Sequence, residues 1–214
     1  MMPMRTLVIM VKVPIAGRVK TRLTRSIGIG PATTFYRHAT FCLATRLASP
    51  RRWSLVLAVA PDAQMRSPAL PSGARRMRQG NGDLGQRLQR VFDDVPRGPV
   101  IVIGSDVPDI SQVDIAQAFR VLEGHDAVIG PSPDGGYWLI GMRRRPRRLK
   151  PFCNIRWSTH EARSGTLRNL AGSRVCFVRE MPDIDDGEDW LAHGSRRSRR
   201  ILSVPSAQAA ERPV

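Results

Sequence analysis

Cysteine is scarce in this chain, and what there is forms no pattern. Cys42, Cys153 and Cys176 are odd in number and far apart, which speaks against a disulfide framework or a thiolate zinc site. They are expected to be buried, inert thiols. His38, His125, His160 and His193 show no H-E-x-x-H spacing, so no histidine metal helix is predicted. Aromatic residues make up 6% of the chain and do not interleave with its basic clusters, as stacking on bases would require. No apolar run approaches the ~20 residues that span a bilayer. The opening segment, MMPMRTLVIMVKVP, is too short in its apolar part for a secretory h-region and lacks a small-residue cleavage site. It reads as a first buried strand of a soluble, cytoplasmic protein.

Lysine is also rare, occurring only at Lys12, Lys20 and Lys150, yet the formal net charge is +16. Arginine supplies nearly all of it, a bias that looks like codon composition as much as function. Two clusters stand out, RRRPRRLK at Arg143–Lys150 and RRSRR at Arg196–Arg200. They are expected to be a solvated loop and part of a basic tail. Charge alone suggests a nucleic-acid-binding protein, but the ordered acidic residues described below would repel phosphates.

Hydrophobic content of 42% and charged content of 24% over 214 residues suit one globular domain with a sizeable core. Apolar runs at Thr6–Val13, Ser54–Ala60, Val100–Gly104, Ala127–Gly130, Tyr137–Met142 and Arg174–Val178 predict strands covered on both faces. Helical patterns lie between them. Pro31–Leu47 opens on a proline suited to a first helical position, and Gly82–Val95 spaces Leu84, Leu88, Val91 and Phe92 on one face. Ser111–Glu123 and Ser158–Leu170 begin with serine caps, the latter with Glu161 completing a capping box. This alternation predicts a single-domain α/β fold with a mostly parallel, doubly wound sheet over residues 5–193. Residues 194–214 are expected to form a basic, disordered tail.

Five motifs carry chemistry. KVPIAGRVKTRL (Lys12–Leu23) follows the first strand with a Pro- and Gly-containing loop and basic side chains at Lys12, Arg18, Lys20 and Arg22. Such a loop binds phosphate or simply solvates its charge. It is neither G-x-x-x-x-G-K-S/T nor a dinucleotide fingerprint. GSDVP (Gly104–Pro108) places Asp106 at a strand end, where one carboxylate plus substrate phosphates suits Mg²⁺; a helix-capping aspartate is the alternative. In GPSPDGGYWLIG (Gly130–Gly141), Asp134 is placed to bond a sugar hydroxyl or act as a base. Gly135 and Gly136 would let the backbone approach a ligand, and Tyr137 and Trp138 could stack on it. Alone, this stretch reads slightly better as a tight Asp-Gly hairpin with core aromatics. In MPDIDDGEDW (Met181–Trp190), alternation puts Asp183 and Asp185 on one face of a strand, with Asp185 placed as a second metal ligand. Asp186, Glu188 and Asp189 would cap the helix that follows. In QGNGDLGQRL (Gln79–Leu88), Gln79 could read a base or sugar and Arg87 could reach a phosphate; structural capping is about as good a reading.

In this order the motifs, together with IRWST (Ile155–Thr159), resemble a bacterial glycosyltransferase-like family that includes arsenosugar-biosynthesis glycosyltransferases. The family is similar to GT-A-fold nucleotide-diphospho-sugar transferases and to small nucleotidylyltransferases. The resemblance covers about residues 5–192. It implies a nucleotide at the first loop, where Gly17 lies among the basic residues, and Mg²⁺ or Mn²⁺ near Asp106 with Asp185 as second carboxylate. It also implies an acceptor side lined by Asp134, Gly135, Gly136, Tyr137 and Trp157. Asp186-Gly187 departs from the family's usual Thr-Pro-like pair. The expected activity is metal-dependent transfer from a nucleotide-sugar donor to a small-molecule acceptor, with Asp134 and Lys20 catalytic. Nucleotidyl transfer from an NTP, releasing pyrophosphate, is the alternative.

Overall fold

The computed structural model describes residues 4–144 and 148–202. Seven strands form one sheet in the order β3-β2-β1-β4-β6-β5-β7. They are β1 (Thr6–Lys12), β2 (Ser54–Ala60), β3 (Arg75–Arg78), β4 (Val100–Gly104), β5 (Ala127–Pro131), β6 (Tyr137–Met142) and β7 (Val175–Phe177). The helices are α1 (Thr21–Ile27), α2 (Ile29–Leu47), α3 (Leu84–Asp94), α4 (Gln112–Gly124), α5 (Ala162–Asn169) and α6 (Gly187–Leu202). Strand β1 pairs in parallel with β2 and β4, β2 with β3, and β5 with β7. Only β6 runs against its neighbours, β4 and β5. The sheet is thus mostly parallel and doubly wound, as its near-continuous apolar strands require.

Side chains alternating along β1 feed two cores. Leu7, Ile9 and Val11 join Leu43 and Leu47 of α2 and Ile115, Phe119 and Leu122 of α4 on one face. Val8 joins Leu88, Val91 and Phe92 of α3, with Phe152 and Leu170, on the other. Burial on both faces follows from the period of two.

Two elements lack the expected apolar signal. Strand β3, RRMR, is an edge strand with exposed ends, and arginines on an edge discourage pairing with another chain. Arg76 folds back to donate to the carbonyls of Met65, Ser67, Leu70 and Pro71. Helix α1 begins at the end of the first basic motif and buries only Leu23.

Several local expectations need correction. Helix α2 starts at Ile29, so Pro31 sits within its first turn, where a missing N–H is harmless. Helix α4 has its expected serine cap, in a reciprocal box of Ser111 with Asp114. Ser158 caps nothing: its φ is 61°, and α5 begins after Glu161 with no side-chain cap. Thr159 instead holds the turn ahead of the helix, its Oγ1 accepting from the Glu161 N–H at 3.2 Å. The Arg143–Lys150 stretch is not uniformly solvated, since Arg144 is buried and donates to the carbonyls of Pro96 and Val95 just beyond α3; residues 145–147 lie outside the described residues. The cysteines are free but not buried: Cys153 is exposed, and Cys42 and Cys176 are half-buried. Helix α6 continues past Gly194 to Leu202; the rest of the expected tail, 203–214, lies outside the described residues. No helix among the described residues is long and apolar enough to cross a membrane.

Candidate active site

The strand order reverses between β1 and β4, because the chain winds outward through β2 and β3 before returning to β4 on the other side. Ligands in open α/β sheets bind at such a point, beyond the carboxyl ends of the strands. A cleft of about 640 Å³ opens there, reached by Lys12 from β1 and by Ser105 and Asp106 from the end of β4. Since β6 is antiparallel to β4, with Leu139 opposite Ile103, the turn before β6 lies at the same rim. This turn is the expected hairpin: the Ser132 N–H donates to Gly136 O at 3.2 Å and the Gly135 N–H to Ser132 O at 3.2 Å. It nevertheless brings Asp134, Gly136 and Tyr137 into the cleft.

The centre of the cleft is an ion triad. Lys20 Nζ lies 3.2 Å from Asp106 Oδ1 and 2.8 Å from Asp185 Oδ1, with only 5% of its side chain exposed. Burial by itself would depress the ammonium pKa, but the two carboxylates outweigh it and hold Lys20 above the ordinary lysine value. Arg22 Nη1 stands 3.7 Å from Asp185 Oδ2 on the solvent side. Asp183–Asp185 lies in irregular chain rather than a strand. The alternation holds all the same: Ile184 is buried and its flanking aspartates line the cleft. Asp186 caps α6, accepting from the N–H groups of Glu188 and Asp189.

Of the remaining expected residues, Gln79 and Trp157 also line the cleft. Gln79 is buried, and its Nε2 donates to Val11 O and Ala58 O at 3.0 and 2.8 Å. Both amide hydrogens are thereby used, leaving Oε1 as its acceptor. Tyr137 Oη accepts from Thr166 Oγ1 at 3.4 Å, and burial pushes its pKa well up. Asp134 holds its own turn, Oδ1 accepting from the Gly136 N–H at 2.9 Å.

Four expected residues fall outside the lining. Gly17 and Arg18 lie on the exposed bend before α1. Arg87 turns back to donate to Gly82 O at 3.0 Å, as a residue in the first turn of α3 can. Gly135 serves packing instead, since a Cβ there would meet His160 O at 2.3 Å and its φ is +86°.

Sequence reasoning missed Tyr36 and underused Asp183. Tyr36 Oη accepts from the Lys12 N–H at 2.8 Å and pairs with Ser105 Oγ at 3.1 Å, tying α2 to the ends of β1 and β4. Burial, then the Asp106 charge, raises its pKa. Nothing in the helical pattern of α2 marks it. Burial, and then the charges of Asp185 and Asp134, push the Asp183 carboxyl up to about 6.

The donor set fits a hard divalent cation in one way only. Among the described residues no group of three or more His, Cys, Asp or Glu side chains could hold a metal. Asp106 and Asp185 are two carboxylates that already meet at one cation, Lys20. Mg²⁺ usually takes one or two carboxylates and completes its shell with phosphates and water. The pair therefore fits Mg²⁺ or Mn²⁺ arriving with a phosphate ligand, not a cage made by the protein alone.

With this geometry in view, the relatives are informative. The chain is 27% identical to a protein of Desulfovibrio desulfuricans G20 that carries the provisional name nucleotide-diphospho-sugar transferase, over 98% of this chain and 90% of that one, with a TM-score of 0.79. A nucleotidyl transferase from Methanothermobacter thermautotrophicus shares the fold at 15% identity, covering 92% of this chain and 99% of its own, with a TM-score of 0.64. So does Rv0371c of Mycobacterium tuberculosis H37Rv, solved in complex with manganese, at 16% identity, 95% and 100% coverage and a TM-score of 0.53. No curated protein matches the sequence. A family profile described as uncharacterized protein conserved in bacteria (DUF2064) matches residues 43–159, more than half of the chain, which therefore belongs to that family.

Proposed function

We propose that the protein is a metal-dependent glycosyltransferase that takes a nucleotide-diphospho-sugar as donor and a small molecule as acceptor. The observation that carries this reading is the meeting of cations and carboxylates at the switch point of the sheet. Lys12, Lys20 and Arg22 stand beside Asp106, Asp134, Asp183 and Asp185 in one cleft. The likeness to the Desulfovibrio protein and the resemblance of the motifs to arsenosugar-biosynthesis glycosyltransferases support the same class.

Asp106 and Asp185 would hold Mg²⁺ or Mn²⁺ with the donor diphosphate, and the bound cation would neutralise charge developing on the leaving group. Lys20 and Arg22 add preorganised positive charge to the same group, and Lys12 extends it along the rim. Gln79, with its amide nitrogen fixed, offers Oε1 to an N–H of the nucleotide. Across the cleft, Asp134 orients or deprotonates the acceptor hydroxyl. Tyr137, Gly136 and Trp157 line the acceptor's place, aromatic rings beside the Asp134 carboxylate, a pairing suited to a small polar molecule.

Nucleotidyl transfer is the second reading, favoured by the fold shared with the Methanothermobacter nucleotidyl transferase. The same parts serve both reactions, but different bonds break. Glycosyl transfer cleaves the bond between sugar and phosphate and releases a nucleoside diphosphate. Nucleotidyl transfer cleaves the α–β phosphate link and releases pyrophosphate. Product identification with each activated donor, Mn²⁺ and cell extract as acceptor source separates them. A nucleoside diphosphate released from a nucleotide-sugar is the expected result. Pyrophosphate from an NTP, with no diphosphate from any nucleotide-sugar, would overturn it in favour of the second reading.

A further inference from the structure

The spacing of Asp106 and Asp185 is set without Lys20. The Ile184 N–H donates to the main-chain oxygen of Asp106 at 3.0 Å, which ties the two carboxylate segments together through backbone. The Asp185 N–H donates to Asp189 Oδ2 at 3.0 Å, fixing the second segment to α6. The ammonium thus fills a gap between two like charges that the backbone has already brought together. Lys20 itself belongs to the connection between β1 and α1 and adopts left-handed backbone, φ 49° and ψ 47°, which non-glycine residues rarely do. The cage is built from fixed parts, and the cation within it is a long, four-carbon side chain that can turn.

We propose that Lys20 is an internal counter-ion exchanged for the divalent cation: when metal and a nucleoside diphosphate enter together, its ammonium leaves Asp106 and Asp185 and pairs with the phosphates. The proposal rests on the reading of the cleft as a metal–nucleotide site. Metal alone must expel a buried ammonium from the two carboxylates it bridges, leaving it near Asp183 but without a paired anion, so it binds weakly. A diphosphate supplies that anion, so each ligand raises the affinity of the other by the same factor. No bond forms or breaks in the exchange.

The test is Mn²⁺ titration of the full chain, followed by paramagnetic resonance, for the native protein, Lys20→Met and Lys20→Arg. Without nucleotide, Lys20→Met should bind Mn²⁺ roughly tenfold more tightly than native, because the competing charge is gone. Lys20→Arg should bind it as weakly as native. UDP, GDP, CDP and ADP are then added in turn; at least one should tighten Mn²⁺ binding by the native chain, and much less by Lys20→Met. A folded Lys20→Met that gains no affinity overturns the exchange, and if a diphosphate still tightens native Mn²⁺ binding, the nucleotide reading survives it. A gain in Lys20→Met with no diphosphate effect on the native chain leaves Lys20 a counter-ion to metal but overturns both the exchange onto phosphate and the nucleotide reading. A second measurement needs no variant, in case Lys20→Met fails to fold. Acetic anhydride labelling of the native chain, read by mass spectrometry with Lys12 and Lys150 as internal controls, should rise at Lys20 under saturating Mn²⁺. Unchanged labelling at Lys20 overturns the proposal.

Discussion

Asp106 contributes through two separate atoms, and this makes it a clean target. Its main-chain oxygen ties it to Ile184, while its carboxylate meets Lys20. Asp106→Asn keeps the first and removes the charge of the second, so the chain should fold. Mn²⁺ affinity measured with nucleotide present should fall, and a transition-state stabilisation of several kcal/mol should be lost from turnover. Unchanged affinity in a folded variant would move the metal elsewhere. A second aspartate tests stability alone. Asp114 is nearly buried, and its two oxygens accept from Arg179 Nε and Nη2 at 2.7 and 2.9 Å. Burial by itself would raise its pKa; the hydrogen bonds from Arg179, then those from Ser111, outweigh it and hold the carboxyl below the ordinary range. A depressed folded pKa gives stability that is present above the unfolded pKa and lost as pH falls through the folded one. Asp114→Asn should therefore cost roughly 1–3 kcal/mol near neutral pH, the range for hydrogen bonds to a charged group discounted for the exposed arginine. The gap between variant and native protein should close below about pH 4. Urea melts at a series of pH values measure both; a constant gap would mean that the charge does not matter.

Helix α3 positions one wall of the cleft through a close contact. A Cβ at Gly85 would meet the carbonyl oxygen of Phe152 at 2.6 Å and the Trp157 ring at 2.9 Å. Backbone cannot give way as a side-chain tip can, so Gly85→Ala should cost about 1–3 kcal/mol, as overpacking does. It should also push Trp157, which lines the cleft. A Trp157 fluorescence change beyond that explained by stability loss would check it; an unaltered melt would show that the loop relaxes freely. The same contact shows what sequence could not reveal: GDLG reads as a cap and turn, and nothing in it names Trp157 as the partner. The buried strands were legible because continuous Val, Ile and Leu runs have few other homes. Strand β3 was not, since RRMR earns its place from pairing with β2 and not from burial. The antiparallel direction of β6 is likewise a tertiary fact. A hairpin turn could be read at Asp134–Gly135, but not that it shares a rim with Asp106.

Over the whole molecule, the site was legible as residue types and illegible as pairings. Asp106, Asp185 and Lys20 all stand out in sequence, yet the placing of Lys20 between the two aspartates does not, because the three come from segments joined only by the fold. Charge shows the same division. The net charge of +16 predicts polyanion binding, whereas the cleft gathers four aspartates that repel an unaccompanied phosphate chain. The two kinds of binding should therefore separate. Affinity for a heparin or DNA oligomer should fall steeply with salt, each neutralised duplex phosphate adding about −0.9 to the log–log slope. Replacing Arg196, Arg197, Arg199 and Arg200 by glutamine, a good helix former, should flatten that slope. Binding of Mn²⁺ with a nucleotide should survive the same four changes. At ~100 times its Kd a ligand that binds only the folded chain stabilises it by about 2.7 kcal/mol, which for this length is roughly a 5–11 °C rise in Tm. Melting curves of native and substituted chains, with each ligand at low and high salt, carry the comparison. If the four substitutions abolished the nucleotide shift, the nucleotide site would lie on the arginine cluster and not in the cleft. If no nucleotide raised the Tm of either chain with either Mg²⁺ or Mn²⁺, the transferase reading would fail and polyanion binding would stand as the better account of the charge.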